Sequence, residues 1–166
     1  MIEASVIIPT HNRREFLEYC LVHILNQTTD NYEVILIDDA STDGTHNLIG
    51  NWKLEIGNLR YIRLERQSGP YVARNIGIRE AKGDIIIFID SDVLVHSRFV
   101  EDHTKIHKRY DKIILQGMVH HTRVPSLATF KFLCGVPYLE ELFCHIFYVS
   151  WYGLLQNENG PKHQNL

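Results

Sequence analysis

Residues 84–93 read DIIIFIDSDV, an unbroken apolar run that stops at Asp90 and is followed at once by Ser91 and Asp92. Apolar residues without polar alternation predict a strand covered on both faces, the pattern of a parallel sheet. Residues 32–39, YEVILIDD, repeat the construction and stop at Asp38 and Asp39. Similar β-branched runs predict strands at Ala4–Pro9, Tyr32–Ile37, Leu59–Leu64, Asp84–Ile89 and Lys112–Leu115. Between them Arg13–Asn26, Thr42–Trp52, Pro70–Ala81 and Arg98–Tyr110 read as helices. In the first, Phe16, Leu17, Cys20, Leu21, Ile24 and Leu25 form one apolar stripe. Strand–helix alternation predicts an α/β fold with a mostly parallel, Rossmann-like sheet flanked by helices. Such sheets take their ligands beyond the carboxyl ends of the strands.

The length of 166 residues suits one domain with a full core, and 45% hydrophobic with 22% charged residues is the composition of a soluble globular protein. A net charge of −3 with no basic stripe argues against a nucleic-acid partner, since phosphate neutralisation dominates that affinity. Cys20, Cys134 and Cys144 are odd in number and form no C-x-x-C pair, so neither a disulfide framework nor a Cys-rich zinc site is expected. The opening MIEASVIIP has no basic stretch or cleavage site of a secretory signal. The longest uncharged apolar stretch, Leu142–Leu155, is too short to span a bilayer. A cytoplasmic location follows as the expectation.

Punctuation supports the parse. Ser41-Thr42-Asp43-Gly44 offers helix caps, and Gly83 stands where a left-handed helix end is expected. The regular part, 1–117, is followed by an apolar and aromatic segment, 118–156, expected to be irregular or helical over Ser126–Cys134 and Pro137–Leu155. Residues 157–166 read as a flexible tail. The aromatic stretch Phe143–Trp151 is read as a core helix ahead of an acceptor groove or a peripheral contact with a membrane face or a partner protein.

The two acidic clusters stand where a parallel sheet holds its ligand. Asp90 and Asp92 flank one residue just past a buried strand and can aim two carboxylates at one hard cation, Mg²⁺ or Mn²⁺, shared with a diphosphate. Either cluster alone reads first as turn or cap residues; two at neighbouring strand ends shift the reading toward a site. His103 and His107 have the spacing of a zinc helix but lack the glutamate that goes with it, and read as a solvated face. His96 reads as a turn residue ahead of a further metal ligand, and His120-His121 as a pair at the end of the fifth strand.

SVIIPTHNR, VILIDDASTDGT, GPYVARNIGI and GDIIIFIDSDV, in this order and spacing, resemble the family-2 glycosyltransferases of GT-A fold over roughly Ala4 to Gly117. The resemblance implies a nucleotide-sugar-binding domain that moves a sugar, UDP-linked by the acid at Asp39, to an acceptor hydroxyl with inversion. It implies base and ribose contacts at Pro9, Thr10, His11 and Asp39, and an approach of Arg74 to the nucleotide or its phosphates. Asp90 meets the ribose or the metal, Ser91 lies within the donor-binding set, and Asp92 is the metal ligand. Position 11 is often Tyr in the family; His11 also offers a flat face. The family's base is a downstream carboxylate, for which Glu141 stands ahead of Glu140, with Glu158 the one other acid in range. The acceptor, a saccharide, lipid-linked or protein hydroxyl, is left open. Members carry an acceptor region after the nucleotide half, so the chain is expected to be truncated or abbreviated, and a donor-binding domain without turnover is the alternative. A phosphohydrolase of the haloacid dehalogenase type, suggested by IIIFIDSDV, lacks the later acidic pair that its chemistry needs. A dinucleotide-dependent oxidoreductase lacks G-x-G-x-x-G after the first strand.

Overall fold

Strand β1 (Ala4–Thr10) leads into α1 (Arg14–Leu25), β2 (Tyr32–Asp38), α2 (Thr45–Trp52), β3 (Leu59–Arg63), α3 (Pro70–Glu80) and β4 (Ile85–Phe88). The chain continues through β5 (Val93–Leu94), α4 (Phe99–Arg109), β6 (Met118–His121) and β7 (Phe147–Ser150). The computed structural model describes residues 1–52, 57–121 and 147–150. The main sheet has the order β3-β2-β1-β4. Its pairs are all parallel, with Ala4 opposite both Tyr32 and Ile85. In the second sheet β7 lies between β5 and β6, antiparallel to the first and parallel to the second.

Successive side chains of a strand point to opposite faces. Val6, Ile8, Val34 and Leu36 go to one face, against Leu17, Leu21 and Ile24 of α1 and Phe99 and Val100 of α4. Ile35 and Ile37 go to the other, against Ala73 of α3. Burial on both faces is why β1 and β2 carry apolar runs without alternation, and each such side chain contributes about 1.5–3 kcal/mol. The α3 face is packed so closely that a Cβ on Gly77 would overlap Ile7 Cγ2.

Gly83 does not have the left-handed conformation its position suggests; among the described glycines, Gly44 and Gly69 are the ones with positive φ. It is required for contact instead, since a Cβ there would stand 2.5 Å from the backbone carbon of Ala4. Its N–H and that of Lys82 donate to Ser5 Oγ at 2.9 and 3.2 Å, and Lys82 N–H also donates to the buried Glu33 at 2.7 Å. The loop before β4 is thereby pinned to β1 and β2.

Three further expectations fail. Lys112–Leu115 is not a strand: Lys112 has φ 53, Ile114 is 100% exposed, and this apolar β-branched run has no partner strand among the described residues. Phe147–Ser150 is a strand where Pro137–Leu155 was expected to be helical, because a short apolar run carries no period to separate the two and its aromatic and β-branched residues suit a sheet. The rest of that helix, Ser126–Cys134 and the tail 157–166 lie outside the described residues. His103 does not face solvent; it is 3% exposed and packs edge-on against Phe99 at 4.7 Å.

Burial, and after it the nearby His107, pushes the His103 pKa down to about 4. A histidine with a depressed folded-state pKa contributes stability that is present above its ordinary value and lost as pH falls through the folded one. The urea midpoint is therefore expected to fall between about pH 6.5 and pH 4 by the equivalent of about 2–3 kcal/mol. In His103→Leu that part of the slope should vanish; an unchanged slope would remove His103 as its source. Among the described residues, no helix is long and apolar enough to cross a membrane.

Candidate active site

The strand order turns back at β1. The chain builds outward through β2 and β3, then crosses to β4 on the other edge, so the crevice between β1 and β4 is a switch point where flanking loops diverge. Thr10, Asp38, Asp39 and Asp90 stand at the carboxyl ends around it. Pro9 lies within β1 opposite Ile37.

The two acids that end β2 have different surroundings. Asp38 is fully buried and accepts from the Ser41 N–H at 2.8 Å and the Tyr61 hydroxyl at 2.5 Å, with Arg63 Nε 3.8 Å away. It is a scaffold residue, holding the turn in which Ala40 has φ 58. Burial and this carboxylate together push the Tyr61 phenol well up. Asp39 turns the other way. Its carboxylate accepts from Ser68 N–H at 2.7 Å and Gly69 N–H at 2.8 Å, at the first turn of α3, where the helix dipole favours a negative charge. Gly69 has φ 92 and ψ 161, a region essentially reserved for glycine. Each Asp39 oxygen keeps a further lone-pair direction for a ligand donor.

His11 and Asn12 follow β1. His11 Nδ1 lies 2.7 Å from the Asp39 carbonyl oxygen, and Asn12 Nδ2 lies 3.1 Å from His11 Nε2. Asn12, at φ 51, bridges to the β2–α2 loop: its N–H donates to Ser41 Oγ at 3.0 Å, and its Oδ1 accepts from Thr42 N–H at 2.8 Å. Asp43 ties two helix starts, accepting from Arg14 N–H at 2.8 Å and Thr45 N–H at 3.1 Å. Partial burial opposes its ionisation, yet these bonds and the Thr45 hydroxyl hold its pKa below the ordinary value. Thr10 Oγ1 is buried without a hydrogen-bond partner among the described residues, an open polar valence at the end of β1.

Beyond β4, Asp90 is exposed and pairs with Arg74 of α3 at 2.6 Å. Ser91 is buried, and Asp92 is half-buried. Burial, then repulsion from Asp90, pushes the Asp92 pKa up, with Arg13 opposing. Two neighbouring carboxylates, one of them reluctant to ionise, are a donor set suited to a hard divalent cation. Among the described residues no group of three or more His, Cys, Asp or Glu side chains could hold a metal ion. The set therefore fits Mg²⁺ or Mn²⁺ held by carboxylates together with phosphate oxygens, rather than an all-protein cage. Cys20 donates to the Asp90 carbonyl at 3.7 Å, and burial raises its thiol pKa, so it packs rather than reacts.

The fold thus gathers Thr10, His11, Asp39, Arg74, Asp90, Ser91 and Asp92 at one end of the sheet. Glu140 and Glu141 lie outside the described residues. His96 lies against Asp102, with Nε2 3.9 Å from its carboxylate, and its Nδ1 accepts from Arg98 N–H at 3.2 Å. Reading the chain alone missed the supporting roles of Asn12, Ser68 and Gly69. The Gly69-Pro70 dipeptide, a helix-start signal, was the trace of the last two.

This arrangement is a GT-A domain. The family model "Glycosyl transferase family 2" matches residues 5–141, and the chain belongs to that family. It is 41% identical over 107 residues to the poly(ribitol-phosphate) beta-N-acetylglucosaminyltransferase TarP of Staphylococcus aureus, covering 61% of this chain and 32% of TarP. It resembles the crystal structure of S. aureus TarS 1–349 in complex with UDP-GlcNAc, with TM-score 0.68 and 27% identity over 75% of this chain and 37% of that one. The mannosyltransferase PcManGT of Pyrobaculum calidifontis, in complex with GDP-Man and Mn²⁺, gives TM-score 0.60 and 27% identity over 79% of this chain and 38% of its own. The chain spans about a third or less of the length of the curated relatives it matches.

Proposed function

We propose that the chain is the donor-binding part of a glycosyltransferase that moves a sugar from a UDP-linked donor to an acceptor hydroxyl, with inversion. One observation carries this reading: the acceptor pair of Asp39 and the acidic cluster of Asp90 and Asp92 flank the same switch-point crevice, with Arg74 connecting α3 to the second. The UDP-GlcNAc bound in TarS and the GDP-Man and Mn²⁺ bound in PcManGT support it.

In this reading Pro9, Thr10 and His11 line the nucleoside side, His11 offering its ring face to the base. Asp39 accepts from the uracil ring N–H through its free lone pairs. Arg74 exchanges Asp90 for phosphate oxygen, the stronger bidentate partner once a diphosphate is present. Asp92 and Asp90 hold the divalent cation, with Ser91 setting their spacing. When bound, the cation supplies charge neutralisation for the leaving diphosphate. A carboxylate, Glu141 ahead of Glu140, takes the acceptor's proton. TarP's polyol-phosphate acceptor favours a saccharide-type polymer hydroxyl as the acceptor here and a role in polysaccharide synthesis. The alternative reading is donor binding without turnover.

Calorimetry of the 166-residue chain with UDP, CDP and GDP, each with and without Mn²⁺, tests the donor site. Mn²⁺-enhanced binding with UDP preferred is expected; no binding of any of the three overturns the proposal. Donor hydrolysis measured in the same samples separates the two readings.

A further inference from the structure

The orientation and protonation of the His11 ring follow from its neighbours. The Asp39 carbonyl can only accept, so His11 Nδ1, 2.7 Å away, carries a proton. The Asn12 amide is fixed independently. Its Oδ1 lies 2.8 Å from the Thr42 backbone nitrogen and 3.3 Å from the Thr42 hydroxyl. A backbone N–H can only donate, so that amide atom must be the oxygen, and the NH₂ faces His11 Nε2 at 3.1 Å. An amide N–H pointing at Nε2 requires a lone pair there. His11 is held as the neutral Nδ1–H tautomer, clamped on both nitrogens. Asn12 has the left-handed backbone, φ 51, that asparagine tolerates better than most residues, and its own N–H is anchored on Ser41 Oγ at 3.0 Å.

We propose that Asn12 is a positioning residue for the donor site: through Thr42 it fixes the His11 ring, uncharged and in one orientation, as the platform for the nucleobase. The proposal rests on the donor-binding reading above. Its chemistry is specific, because an uncharged ring with its edge already bonded presents only its face to a ligand. A ring with a second N–H, at Nε2, would instead set it against the Asn12 amide N–H and break the clamp.

Two variants test this. In Asn12→Asp, one carboxylate oxygen can still accept from Thr42 N–H, but the other now faces Nε2 and calls for a proton on it. In Asn12→Ser the side chain is too short to reach both. Long-range proton–nitrogen NMR on the nucleotide-free chain is expected to show, at neutral pH, Nδ1–H with an unprotonated Nε2 in the parent. Asn12→Asp should lose that pattern, with a proton on Nε2. UDP binding should weaken by about fivefold in Asn12→Ser, the loss of one net hydrogen bond of about 1 kcal/mol, with a larger loss in Asn12→Asp. An Nε2–H tautomer in the parent, or UDP binding to Asn12→Asp at parental affinity, overturns the proposal. The NMR arm needs no nucleotide, so failure of the parent to bind UDP would count against the donor site while leaving the tautomer result to stand.

Discussion

Asp92→Asn is expected to raise the thermal midpoint of the protein at neutral pH while removing Mn²⁺-dependent UDP binding. Both effects come from the same placement. Burial and repulsion from Asp90 push the Asp92 pKa up, so its charge is held at a cost. An aspartate with a raised folded-state pKa stabilises the fold below its ordinary value, about 3.9, and loses that contribution as pH rises through the folded one. Asparagine keeps the shape and drops the charge. The stability gain should therefore appear in thermal melts at pH 7 and disappear in acid, where Asp92 is protonated in both states. Binding should respond in the opposite direction. Removing a supporting contact of a metal ligand already costs about 10–100-fold in metal affinity, and loss of the ligand itself should exceed that. Retention of full Mn²⁺-dependent UDP affinity in Asp92→Asn would dispose of the metal assignment, and a lowered midpoint at pH 7 would dispose of the electrostatic account.

Asp39→Asn should weaken UDP binding by about 10–100-fold, the range of one hydrogen bond to a charged group of about 1.5–3 kcal/mol. It should also lower stability by about 1 kcal/mol, since one partly exposed N–H of the Ser68–Gly69 pair loses its acceptor. The amide has one oxygen where the carboxylate has two, so it cannot serve both N–H groups and a ligand donor as well. The diagnostic readout is selectivity. Cytosine has no proton on the ring nitrogen that uracil protonates, so the preference for UDP over CDP should collapse in the variant. If both nucleotides lose affinity equally, Asp39 acts only through the α3 loop and not on the base.

How much of this was legible in the chain depends on what each element rests on. β1 and β2 are legible to within a residue or two because burial on both faces leaves mostly apolar residues to choose from; β4 has the same kind of apolar run, yet it is only partly covered, with Phe88 43% exposed. α1 was legible from one stripe. The acids at the strand ends could be located because a parallel sheet delivers its strand ends to one side. Which way each acid turns was not legible. Asp38 and Asp39 are adjacent and identical, and the positions of Tyr61 and of the Ser68–Gly69 backbone, distant in sequence, tell the scaffold residue from the candidate site residue. Gly83 was recognised as special for the wrong reason: its place after a helix suggested a free dihedral, whereas the contact with Ala4 across the sheet is invisible in one dimension. Lys112–Leu115 and Phe147–Ser150 show the same limit, since whether an apolar run pairs depends on the edge available to it.

The order β3-β2-β1-β4 also sets what a growing chain can cover, and when. β1 can meet β2 once residues 32–38 have been made but cannot meet β4 until residues 85–88 have been made. Until then one edge of Val6-Ile7-Ile8 is bare, with unpaired backbone groups between two apolar faces, the surface most prone to pair with another molecule. Bringing β4 home closes a long loop at a modest extra entropic cost, and the crevice between β1 and β4 exists only after that closure. The same step that hides the sticky edge on the ribosome creates the cleft in which Asp39 and Asp92 can face one ligand.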